Sequence, residues 1–161
     1  MNRLIILITS ILLLFSCGNN REYVIEGKIY IKLIDVQNFS GFSSKEINLL
    51  NDFTYNKNQK EYSDSEKKLV NYYKFLKERG LVKNPFFKVK TDLGEIINVF
   101  TNGKEYNKIK NELKNLDRDQ EVIIVKFKGE KISEGFFNES IYFAKKIIKV
   151  EKKNGKTPWD K

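Results

Sequence analysis

The chain has 161 residues, one cysteine, no histidine, and 30 lysines and arginines against 21 aspartates and glutamates, for a formal charge of +9; 40% of positions are apolar and 32% charged. That length suits one ordinary domain. Without an imidazole there is no serine-histidine or cysteine-histidine nucleophile, no histidine general base and no His-rich zinc site, and a single thiol excludes an intrachain disulfide.

The cations are overwhelmingly lysine, asparagine and isoleucine are abundant, and Ala144 is the only alanine, a bias that an AT-rich genome imposes. Lysine surfaces of this origin raise general attraction to polyanions without marking a nucleic-acid site. Arginine, the side chain suited to bidentate recognition of phosphates and guanine edges, occurs only at 3, 21, 79 and 118, with no cluster.

Asn2 and Arg3 form a short positive start, and residues 4–15 are a nearly unbroken apolar run of about a dozen residues, the pattern of a signal-peptide core. A bilayer-spanning helix needs about 20 such residues, so the run is too short for a comfortable permanent span. It ends in Leu14-Phe15-Ser16-Cys17, which resembles the lipobox of bacterial lipoproteins. The resemblance covers residues 1–16 as signal peptide and implies that Cys17 becomes the acylated first residue of the mature chain, with a diacylglyceryl thioether and an N-acyl chain. It implies no other cofactor, and a place in the cell envelope, at the outer membrane or the periplasmic face of the inner membrane. Together with the Lys, Asn and Ile bias, the motif resembles lipoproteins of spirochaetes such as Borrelia. Residues 17–22 then form a short acylated tether, which at about 3.5 Å per residue reaches less than roughly 20 Å. The body that follows is expected to sit close to lipid.

Residues 23–150 are expected to form the body. Residues 23–36 alternate, with Tyr23, Ile25, Ile29, Ile31 and Leu33 on one face and Glu26, Lys28 and Lys32 on the other, which predicts a half-buried strand in which Gly27 marks a bend, bulge or close approach. Residues 39–82 predict a helical insert. Ser43 with Glu46, and Ser63 with Glu66, fit capping boxes, and Leu69, Tyr72, Tyr73 and Leu76 fall on one helical stripe that Gly80 ends. Core packing is the plainer use of that stripe.

Phe87, Val89 and Thr91, a turn at residues 92–95 containing Gly94, and residues 96–101 predict a hairpin. Asn102 with Glu105 opens a helix carrying Tyr106, Ile109, Leu113 and Leu116. Residues 122–127 and 141–150 predict the last two strands, joined by a loop over 128–140, and residues 151–161 a charged, frayed tail. The order is strand, insert, strand, strand, helix, strand, strand, which without the insert is that of a five-stranded OB-fold barrel, and residues 86–150 resemble OB-fold modules of the tRNA-anticodon-binding kind. The implied fold is mainly β with helices (α+β): a five-stranded OB-like barrel carrying a helical insertion between strands 1 and 2.

Strand phase predicts a basic sheet face. Lys28, Lys32, Lys88, Lys90, Lys126, Lys128, Lys145 and Lys149 fall opposite the apolar faces of their strands, and Tyr30, Phe86 and Phe143 share that phase. Lysines interleaved with rings can follow an anionic chain, although alternation alone also produces a solvated exterior. Asp117, Asp119 and Glu121 fail the EF-hand pattern, with Val122 and Lys128 where glycine and glutamate are required. Carboxylate pairs such as Asp92 with Glu95, or Glu130 with Glu134, are not singled out by any feature, and no enzyme is expected. The expected function is a lipid-anchored, non-catalytic binding module. Its partners are the membrane through the anchor, and an envelope or host protein or an anionic glycan; nucleic acid is disfavoured. The alternative is an assembly lipoprotein that uses the insert stripe as an interface. Labelled palmitate fed to cells making the full chain should enter the polypeptide, and Cys17→Ser should abolish the label; an unlabelled parent chain would remove the anchor.

Overall fold

A computed structural model describes residues 21–29, 44–55, 62–114, 116–117, 120–136 and 139–155. Cys17, Tyr30, Lys32, the Ser43 cap, the end of the first expected strand and residues 156–161 lie outside them. Five strands are described: β1 (Glu22–Ile29), β2 (Phe86–Thr91), β3 (Ile96–Thr101), β4 (Glu121–Phe136) and β5 (Glu139–Asn154). With them are three helices, α1 (Ser44–Tyr55), α2 (Asp64–Glu78) and α3 (Gly103–Leu113). β1 pairs antiparallel with β2 and β4, β2 with β3, and β4 with β5, whereas β3 and β5 run parallel. The order β1-β2-β3-β5-β4 therefore returns to β1.

The α+β character is as expected, whereas the simple OB-like barrel module is corrected by what lies against this sheet. The fold is mixed α+β and has two cores, one on each side of a shared wall. Inside, Ile29, Phe87, Val89, Val99, Phe127 and Ile147 pack with Ile109 of α3. Outside, Phe100 of β3 and Ile141 of β5 pack with Leu50 of α1 and Leu69, Val70 and Leu76 of α2. β3 is consequently buried on both faces from Ile97 to Thr101, which is why it reads as a nearly continuous apolar run rather than an alternation. A pattern of single-strand alternation cannot show that the insert folds back over the outer face of β2, β3 and the start of β5.

The local signals behave as their chemistry dictates. Ser63 and Glu66 form the reciprocal capping box of α2. At the other end Gly80 takes φ +67°, the Gly80 amide donates to the Lys77 carbonyl, and Leu81 donates to Leu76, so the last carbonyls are satisfied and Leu81 turns into the outer core. The stripe of Leu69, Tyr72, Tyr73 and Leu76 is spent inside the protein. Asn102 caps α3 by accepting from the Glu105 amide, and the hairpin turn has Gly94 at φ +83°.

The last third of the chain departs most from expectation. The 128–140 loop is instead the continuation of two sixteen-residue strands, and the expected frayed tail remains paired as far as Asn154, opposite Glu121. Gly129, which invites a loop reading, is required by contact: a Cβ there would overlap the Phe143 carbonyl on the neighbouring strand. Gly27 is similar, since its Cβ would lie 2.5 Å from the Lys90 carbonyl oxygen. Both are close backbone approaches.

Gly129→Ala should thus lower the stability of the folded chain by more than about 2 kcal/mol, because the obstacle is backbone and cannot rotate away. Gly103→Ala, at a helical position with open space around it, should be neutral or stabilise by up to about 1 kcal/mol. Thermal unfolding followed by circular dichroism separates the two; equal effects would contradict the close-approach account.

Candidate functional site

The insert covers one part of the sheet's exterior and leaves another part open. Over the start of β2, β3 and the beginning of β5 the outside is core, whereas the outward side chains of β1, of β2 at Lys90, of β4 as far as Glu130 and of β5 from Lys145 onward face solvent. This division sorts the predicted site residues. Phe86 and Phe143 pack into the outer core beside α2, so they are not stacking platforms. Lys88 lies at the margin of the insert, where its ammonium donates to both oxygens of Glu139, at 2.8 and 2.7 Å, and Asn98 donates to Glu139 Oε2 at 2.7 Å. The pair is about three-quarters covered, with 25% and 24% of the side chains exposed. Burial raises the pKa of the nearby Tyr72 hydroxyl, and the Glu139 charge raises it further. This cluster satisfies the hydrogen bonding of the one polar side chain, Asn98, that β3 turns into the outer core, with Lys88 neutralising Glu139.

Lys28, Lys90, Lys126, Lys128, Lys145 and Lys149 do share the open face, but it is not the plain basic surface that alternation suggests. Carboxylates of the same phase interleave with them. Lys126 pairs with Glu26 at 3.0 Å, Lys128 with Glu22 at 2.5 Å, and Lys145 with Glu130 at 2.8 Å and Glu22 at 3.8 Å. Glu151 holds Lys149 at 2.5 Å and Lys153 at 2.8 Å. The bond from Lys128 depresses the pKa of Glu22, those from Lys149 and Lys153 depress that of Glu151, and the bonds to Glu130 and Glu151 raise those of Lys145 and Lys153 respectively. Among the described residues no ion pair involves Lys28, Lys90 or Lys146. Lys28 and Lys90 sit directly opposite each other across β1 and β2.

Sequence reading missed Lys146, Glu22 and Glu130 as members of this face. Glu22 shares the parity of Glu26 and Lys28 and was legible; Glu130 shares that of Lys126 and Lys128 but fell in the segment read as a loop, and Lys146 was hidden by irregular pairing. The register of β4 on β5 shifts between Lys128 and Gly129, so Lys128 faces Lys146 while Gly129 faces Ala144, and Lys145 bulges outward. A second shift between Lys126 and Phe127 leaves Ile148 as the bulged residue, 47% exposed, between buried Ile147 and outward Lys149. Two bulges therefore place adjacent residues of β5 on the same side.

The inner margin of this face is held by α3. Beyond Thr101, where β3 stops pairing, the β5 backbone needs new partners. The Ile147 amide donates to Glu105 Oε2 at 2.6 Å, and Lys108 donates to the same oxygen at 2.7 Å and to the Ile147 carbonyl at 3.3 Å. Burial pushes the Glu105 carboxyl upward, but Lys108, the Ile147 amide and the Lys104 charge outweigh it and hold it below the ordinary value. Among the described residues no group of three His, Cys, Asp or Glu side chains is placed to hold a metal ion, and no helix is long and apolar enough to cross a membrane.

Compared with protein-family models, curated proteins and solved structures, the chain matches none. The attributions to OB modules and to a spirochaete source thus find no support there and are not carried further.

Since the folded Glu105 carboxyl titrates below the unfolded one, its stabilisation is complete above the unfolded value and is lost as pH falls through the folded value. Glu105→Gln should destabilise the chain by about 1 to 2 kcal/mol at neutral pH, and the gap between variant and parent should close on acidification below about pH 5. Urea unfolding at a series of pH values measures this; a gap that widens toward acid would reverse the assignment.

Proposed function

We propose that the protein is a lipid-anchored, non-catalytic binding module of the cell envelope, engaging an anionic polymer through the open face of β1, β4 and β5. The observation that carries the reading is the uncovered face itself, where lysines outnumber carboxylates and Lys28, Lys90 and Lys146 stand outside the ion pairs. A rigid, closed run of strands presents these ammonium groups at fixed spacing, and burial of Phe86 and Phe143 leaves electrostatics rather than ring stacking as the means of attraction. Rows of lysine point charges attract a linear polyanion, such as an acidic glycan, through charge rather than through bidentate recognition.

The anchor is supported by the apolar run at residues 4–15 and the Leu14-Phe15-Ser16-Cys17 motif. Its consequence for binding is that the module works at a membrane surface, where a modest affinity is multiplied by confinement.

Retention of the chain on immobilised heparin should fall steeply as salt rises. Replacing Lys28, Lys90, Lys126 and Lys149 by glutamine should abolish retention with little change in thermal unfolding, because all four reach solvent and the ion pairs of Lys126 and Lys149 are exposed ones. Retention that survives both high salt and the fourfold variant would remove this face from the function.

A further inference from the structure

The open face has two ends, and only one lies where the chain would meet lipid. β1 begins at Glu22, and the Glu22 carboxylate touches Lys128 and Lys145. Arg21, exposed, immediately precedes it, and Lys146 lies across from Lys128 on β5. The six residues from Lys28 back to Glu22 separate this end from Lys28 and Lys90 by about 20 Å at the rise of a strand. From Cys17 to Arg21 the chain spans no more than about 15 Å when fully extended. If Cys17 is held in lipid, Arg21, Lys128, Lys145 and Lys146 lie within reach of the headgroups, whereas Lys28 and Lys90 point to the other half of the body.

The chemistry of this end fits an anionic interface. Arg21 and the three lysines exceed the two carboxylates, Glu22 and Glu130, that share the space. Beside them Val24 leaves an apolar side chain 58% exposed between charged neighbours, and Tyr23 stands edge-on to Tyr142 at 6.0 Å, with Lys131 over the Tyr142 ring. Lysine and tyrosine side chains, each with an apolar body and a polar tip, partition to the headgroup level. The bulge at Lys145 matters here, because it places Lys145 and Lys146 on the same outward side, where regular alternation would turn one of them inward.

We infer that Arg21, Lys128, Lys145 and Lys146 bind anionic lipid headgroups of the membrane that carries the anchor, and so fix the body with its Glu22 end against the bilayer and its Lys28 end outward. This rests on the anchored reading above and adds an orientation to it. The lysines at the far end are then left free for the polyanion.

The lipidated full chain, carrying Val24→Cys labelled with a fluorophore, is reconstituted into phosphatidylcholine vesicles with or without phosphatidylglycerol, and quenching by a headgroup-attached acceptor is read. Quenching should be at least about twofold stronger with the anionic lipid and fall to the neutral-lipid level at high salt. Replacing Lys128, Lys145 and Lys146 by glutamine should have the same effect as high salt, while Lys28→Gln with Lys90→Gln should change nothing. Thermal unfolding confirms that each variant is folded. A chain that floats with neutral vesicles but shows equal quenching in both compositions overturns the orientation and leaves the anchor standing. A chain that carries no fatty acid and does not float overturns both.

Discussion

Everything else in this structure depends on β3 being buried on both faces. A strand in that position must be apolar on both sides or must neutralise what is not, and it does both: Ile97 and Val99 fill the inner core, Phe100 fills the outer one, and Asn98 is met by Glu139, which Lys88 neutralises. Burying the outer side of β3 commits the insert helices to that half of the sheet. It therefore also decides which half stays open. The surface with excess lysine is the part of the sheet that α1 and α2 do not reach.

The second constraint is the close passage of β4 over β5 at Gly129. Backbone contact with the Phe143 carbonyl permits no Cβ, and the pairing slips by one residue beside it. A bulge of this kind sharpens strand curvature, which is needed where a five-stranded sheet closes on itself. It also reorients the side chains that follow. The same feature that lets the sheet close thus doubles the outward cations at Lys145 and Lys146, so the geometry of the fold and the charge of its surface are not independent.

Much of this was legible in the residues, and the rest was hidden for definable reasons. The Ser63 box, the Gly80 terminus, the Asn102 cap and the Gly94 turn are local chemistry, and each formed as read. The apolar stripe of α2 could be read as buried, but not what it is buried against, because its partners Phe100 and Ile141 lie far along the chain. Residues 129–136 looked like a loop because Gly129, Glu130, Lys131, Ser133 and Glu134 are turn-prone and polar. As a strand they are sustained by pairing with β5, a long-range effect that no local window contains. The basic face was overestimated for a similar reason. Phase gave the lysines, but Phe86, Lys88 and Phe143 were taken from it by the insert, and the glutamates of the same phase were set against the remaining lysines by register.

Interleaved charge changes what such a face can do. A uniformly basic surface projects its field far into solution and collects polyanions indiscriminately, whereas a lattice of exposed ion pairs cancels much of the field beyond a Debye length, about 8 Å at physiological salt. What remains acts at contact, as ammonium groups that exchange one carboxylate for another at small cost, since exposed pairs are weakly held in the first place. A surface of this type is a poor long-range collector and a serviceable short-range holder. That property suits a module delivered to its surface by a tether rather than by diffusion, because a short linker supplies the local concentration that the weakened field does not. In the proposed reading the glutamates set a threshold, since a polyanion has to compete with Glu22, Glu26, Glu130 and Glu151 for the lysines.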